Sequence, residues 1–240
     1  MPSYTVSGSP RLEQTGPLSG HLNKEKNILY FQNFGGGGVG LGLLLGPLGA
    51  AANASMIEGN TKKDIERLES KIDIKPRELF AAAAHESGVL LPDSAGSSSP
   101  IATPYLYVSK VEDGQLQVAA ALLVAQGAGA QQWTGKYMYQ LPQRLSMDEL
   151  ANLSPSSLDQ LKADLQKSFG ALLTHILSEK QEHQSQEQKV FFKSDLLSPR
   201  FDLQMLGSLV RDEGTVVWVR TLDGVYGIQK TKIWFEIQKS

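Results

Sequence analysis

The chain has 240 residues, with 23 lysines and arginines against 25 acidic residues, for a formal net charge of −2. That balance excludes the basic electrostatic footprint by which proteins hold nucleic acid, while the length suffices for one large domain or two small ones, each with a proper core. Cysteine is absent, which removes disulfides, thiol nucleophiles and thiolate metal sites together.

The first residues, up to about Gly20, are rich in Ser, Gly and Pro and lack the basic and apolar regions of a signal peptide. Residues 1–26 are therefore expected to be a flexible N-terminal tether. The aromatic and β-branched run Asn27 to Phe34 predicts a first strand. It enters Gly35 to Gly38 and then an apolar, glycine- and alanine-rich stretch that carries no charge until Glu58. Thr61 followed by Asp64 has the spacing of a capping box and predicts a helix starting there. Pro76 suits the first turn of a second helix, with Gly88 as its stop.

After a loop over residues 92–104, three strands are expected: Tyr105 to Val111, Leu116 to Gln126 and Gln132 to Leu141. Asp113-Gly114 supplies a hairpin turn between the first two. Tyr105, Tyr107, Trp133, Tyr137 and Tyr139 occupy alternating positions, which predicts one aromatic face. Leu158, Leu161, Leu165, Phe169, Leu172, Leu173 and Ile176 form the apolar stripe of a long helix. It gives way to the polar tract Glu179 to Gln188, expected as a linker. Five short strands follow, over 189–193, 203–211, 215–221, 225–229 and 231–237, punctuated by Gly214 and Asp223-Gly224. The fold class expected is α+β. A central antiparallel sheet with packed helices (residues 27–180, with the glycine-rich apolar segment at 35–57) precedes a small barrel- or sandwich-like all-β module (189–240).

Candidate chemistry is sparse. Gly35, Gly37 and Gly40 match the G-x-G-x-x-G spacing after a predicted strand, but Pro47 interrupts the helix that a dinucleotide fold requires, and no second strand ending in an acid follows. Nucleotide binding is thus an alternative, and no cofactor is expected. Gly38, Gly42, Gly46, Ala50 and Ala54 recur at every fourth position, the spacing of a small-residue ridge through which helices pack closely in lipid or against protein. No serine lies in a nucleophile elbow, and the paired acids Glu112-Asp113 and Asp212-Glu213 sit at turns. The histidine at 85 lacks the second histidine of a zinc-protease motif. No catalytic residue and no metal site is therefore expected. Trp218, Tyr226 and Trp234 are candidates for a binding surface, with core filling the competing explanation.

The tether before Gly20 and the run from Phe34 through Ile57 resemble uncharacterised lipoproteins of the Gram-negative envelope. That resemblance implies a periplasmic, outer-membrane-anchored protein with Met1 standing where a lipidated cysteine was. It also implies a non-catalytic role in binding or assembly, through protein partners, self-association or membrane contact. An oligomeric, membrane-inserting channel component is a further alternative.

Overall fold

The computed structural model describes residues 2–8, 12, 15–16, 18–32, 46–92, 99–111, 114–127, 132–179 and 187–238, without the side chains of 46–53. Eleven strands build one mixed sheet. They are β1 (Thr5–Val6), β2 (Ser19–His21), β3 (Ile28–Phe31), β4 (Ile101–Lys110), β5 (Leu116–Gln126), β6 (Trp133–Leu145), β7 (Gln188–Ser194), β8 (Met205–Glu213), β9 (Val216–Arg220), β10 (Val225–Gln229) and β11 (Ile233–Ile237). The order is β11-β7-β8-β9-β10-β6-β5-β4-β3-β2, with β1 pairing β4. Among the described residues four α-helices of five residues or more accompany it: α1 (Gly46–Leu68), α2 (Pro76–Glu86), α3 (Met147–Ala151) and α4 (Pro155–Ser178).

The α+β class holds, and two details differ from expectation. The C-terminal strands do not close into a barrel: β10 runs parallel to β6, with Val225 beside Tyr137, so they extend the central sheet. The sheet is also mixed, because β3 and β1 both run parallel to β4. Part of the expected tether is structured. Tyr4 is buried, Thr5 and Val6 pair with Ile101 and Ala102, and Ser19 to His21 pair with β3. Strands of two or three residues leave no alternation to detect, so composition alone suggested a tether.

Helices cover one face. Leu161, Leu165, Phe169, Leu172 and Leu173 of α4 are buried with Phe80, Ala83 and Ala84 of α2 against Leu106, Ala120, Leu122, Tyr137 and Leu141 of the sheet. Phe80 meets Phe169 edge to face, with centroids 5.9 Å apart. Ser154 caps α4 by accepting from the Ser157 amide, and Pro155 sits in its first turn, where a missing N–H costs nothing.

Thr61 caps nothing. Helix α1 runs through it, and its hydroxyl donates to the Ile57 carbonyl one turn back. Asp64 instead accepts from the Tyr30 hydroxyl (2.6 Å) and from Lys110 (2.7 Å), tying α1 to β3 and β4. Pro47 lies at the start of α1, where it is tolerated, rather than kinking it. Gly46, Ala50 and Ala54 are in that helix, with Ala54 exposed, whereas Gly35, Gly37, Gly38, Gly40 and Gly42 lie outside the described residues. No helix among the described residues is long and apolar enough to cross a membrane.

Candidate ligand cavity

The sheet's second face is packed differently. Tyr105, Ala119, Ala121, Met138, Tyr226 and Ile228 are buried there beneath Leu12 and Leu196. The tyrosines therefore do not share one face. Tyr105 and Tyr107 pair with Ala121 and Ala119 on this side, while Tyr137 pairs with Leu122 and belongs to the helix side. Alternation within each strand was legible, but the relative register of two strands is set by pairing across the sheet.

A cavity of about 160 Å³ opens on this face, lined by Leu29, Tyr105, Tyr107, Lys136, Met138, Leu196, Leu197, Asp223 and Tyr226. Its cover is the turn after β7, where the Leu197 and Ser198 amides donate to the Ser194 carbonyl. Arg200 fastens that segment by donating to the Val111 carbonyl at 3.1 Å.

At the mouth, the tight turn between β9 and β10 places Asp223 beside Lys136. The turn is closed by the Thr221 amide donating to the Gly224 carbonyl at 2.8 Å. Only glycine fits at 224, since a Cβ there would lie 2.4 Å from the Lys136 carbonyl oxygen. Lys136 donates to Asp223 and lies 5.4 Å from the Tyr226 ring centre, and the Tyr226 hydroxyl donates to Asp223 at 2.7 Å. Burial works against the Asp223 charge, yet the Lys136 ammonium and the Tyr226 hydroxyl hold it below the usual carboxylate range.

Burial raises the Tyr105 and Tyr107 phenols far above their ordinary value, with nearby Asp223 adding to the effect on Tyr105. Both stay neutral, able to donate and to accept. Tyr105 is buried and Tyr107 partly buried on this face. The cavity thus combines a ring-sized volume with phenols on its walls and a neutralised ion pair at its rim. It holds no activated nucleophile and no second carboxylate. Among the described residues no cluster of histidine and acidic side chains could hold a metal. A larger hollow of about 330 Å³ lies between β6 and α4. Its Gln143 and Gln160 already donate to Asp164, and its Ser157 bonds Ser154.

Of the three aromatic candidates from the sequence, Tyr226 alone lines the cavity. Trp218 is buried on the helix side, stacked on His175 with centroids 4.2 Å apart and planes 6° off parallel. Trp234 stands 47% exposed on β11 at the sheet edge. Lys136 and Asp223 were missed; the Asp-Gly turn signal located Asp223 without showing what it faces. The polar tract also holds more than a linker. Arg220 pairs with both Glu179 and Glu187, and the Tyr137 hydroxyl donates to Glu179 at 3.0 Å. His183 lies outside the described residues.

No protein-family model matches the chain, and no curated protein matches it. A solved crystal structure of an uncharacterized protein aligns over 74% of this chain and 90% of its own, at 10% identity and a TM-score of 0.26. That likeness is too slight to carry a statement of fold or function.

Proposed function

We propose that this is a non-catalytic binding protein whose ligand, a small ring-sized molecule, sits in the tyrosine-lined cavity. The observation carrying this reading is the cavity itself, where the rings of Tyr105, Tyr107 and Tyr226 stand with Leu29, Met138, Leu196 and Leu197 around one volume. An apolar cavity of about 150 Å³ is known to hold benzene, so about 160 Å³ accommodates one ring, and the phenols supply the polar contacts that orient it. Ligand-observed NMR with phenol tests the reading. Saturation transfer is expected with the wild-type protein and is lost in Tyr105→Phe/Tyr107→Phe, whose folding a thermal melt checks, because the exchange removes the hydroxyls that orient the ring. Equal transfer in both proteins refutes the assignment.

The envelope setting belongs to the same proposal. It is supported by the Ser-, Gly- and Pro-rich start and the uncharged run from Asn27 to Ile57. Partner binding finds support in the exposed Trp234 and Ile237 on edge strand β11. Fractionation of cells producing the native protein, with labelled palmitate, should place it lipidated in the membrane fraction; an unlabelled cytosolic protein removes the envelope role.

A further inference from the structure

The face that forms the cavity carries a second anomaly one step further along the same strands. Ser109 of β4, Gln117 of β5 and Gln140 of β6 are fully buried. Ser109 is the direct partner of Gln117, and Gln117 of Arg144. Five side-chain atoms of this row, Ser109 Oγ, Gln117 Oε1, Gln117 Nε2, Gln140 Nε2 and Arg144 Nε, are buried with no hydrogen-bond partner. One such atom is an ordinary blemish, but five on three adjacent strands form a concentrated deficit of several unmade bonds.

The deficit has a sign. Three of the five atoms are N–H donors and a fourth is a hydroxyl, leaving a single obligate acceptor. The rest of the acceptor capacity is spent: Gln140 Oε1 already accepts from the Gln229 amide at 2.9 Å, and Asp195 accepts from Arg144. The charges lean the same way. Lys232 lies beside Arg144 and Asp195, where burial and the neighbouring guanidinium push its ammonium down. Two cations against one carboxylate leave a net positive corner.

Its position ties it to the cavity. Ser109 follows Tyr107 by two residues, Gln117 precedes Ala119 by two, and Gln140 follows Met138 by two, so each pair shares a sheet face about 7 Å apart. One covering segment spans both places: Asp195 bonds the row's Arg144 while Leu196 and Leu197 line the cavity.

We infer that the row is the polar end of the ligand site and receives a carboxylate, so that the ligand class is a small ring carboxylate with its ring among Tyr105, Tyr107 and Tyr226. A ring held in the cavity places a carboxylate one or two bonds away at the row, where it accepts from Gln117 Nε2, Gln140 Nε2 and Arg144 Nε. This assignment rests on the cavity being a ligand site.

Phenylacetate and the neutral 2-phenylethanol separate the two claims. Titrations of each into the full chain at pH 7 are expected to give about ten-fold tighter binding of phenylacetate, the scale of one charge-assisted hydrogen bond. In Gln117→Leu, which removes one of the three donors, that advantage shrinks while the alcohol binds as before. A thermal melt of this variant shows that it is folded, and Gln117→Met, which also removes the donor, provides a milder change if it is not. Alcohol binding with no preference for phenylacetate, or a preference undiminished by the substitution, overturns the carboxylate assignment and leaves a water-filled polar core under an intact cavity site. Binding of neither compound overturns the cavity reading itself.

Discussion

Replacing His175 by phenylalanine should flatten the acid dependence of stability. The imidazole lies on α4, 3% exposed, against the indole of Trp218, with neither ring nitrogen hydrogen-bonded. Burial, with Arg211 and Arg220 adding, lowers its pKa from 6.5 to about 4 despite the opposing pull of Glu179. Folded His175 is therefore neutral between pH 6.5 and 4 while the unfolded chain is protonated, so the unfolded state binds more protons and stability is lost as the pH is lowered across that window. The full gap is worth about 3 kcal/mol at about 1.4 kcal/mol per pH unit, and about 2 kcal/mol of it is lost by pH 5. Above pH 6.5 both states are neutral and nothing is lost. Urea denaturation at pH 7.5 and pH 5.0 measures the difference. The wild type should lose about 2 kcal/mol more than His175→Phe between the two conditions; equal losses in the two proteins refute the buried, neutral stack.

Arg220→Met should destabilise the fold by about 3 kcal/mol in denaturant titrations, because it strands two carboxylates, Glu187 at 7% and Glu179 at 15% side-chain exposure. Adding Glu187→Gln should recover part of that loss, and a loss below about 0.5 kcal/mol would mark the pairs as solvated surface bridges. Acrylamide should quench Trp133 and Trp234, which are exposed, and spare Trp218; single-tryptophan variants report each ring, and equal quenching of Trp218 contradicts its place in the core. Cutting an engineered protease site within residues 180–186 should leave both fragments co-eluting on gel filtration, since β10 pairs with β6 and Trp218 shares the core with α4. Two separate folded peaks would show an independent C-terminal module.

Periodicity carried most of the fold. The strand from Leu116 to Gln126 and the strand from Val225 to Gln229 fall where the sequence placed them, and the apolar stripe from Leu158 to Ile176 is the buried face of α4. These segments are long or sharply bounded by turn residues, so local pattern and tertiary context agree. What failed was information not held locally. Thr61 has a capping signature, but α1 begins fifteen residues earlier and turns the threonine inward. Short strands β1 and β2 exist only through their partners β4 and β3. The division near residue 180 looked natural because polar residues cluster there, yet Glu179 and Glu187 converge on Arg220 and the sheet continues past them.

The candidate site was legible only in fragments. Tyr226 stood out as an aromatic, and Asp223-Gly224 as a turn, but neither points to Lys136, which reaches them only because β10 lies parallel to β6. Gln117 and Gln140 are ordinary strand glutamines until burial deprives them of partners. Unmet hydrogen bonds are a property of the folded chain and have no one-dimensional signature.

The central claim is that Tyr105 and Tyr107 hold a ligand, and a crystal structure of the protein soaked with phenol tests it most directly. The account predicts a ring between Tyr105, Tyr107, Met138 and Leu196, with its hydroxyl within hydrogen-bond distance of Tyr105 or Tyr107. Ordered water or collapsed side chains in that volume at saturating phenol would contradict it.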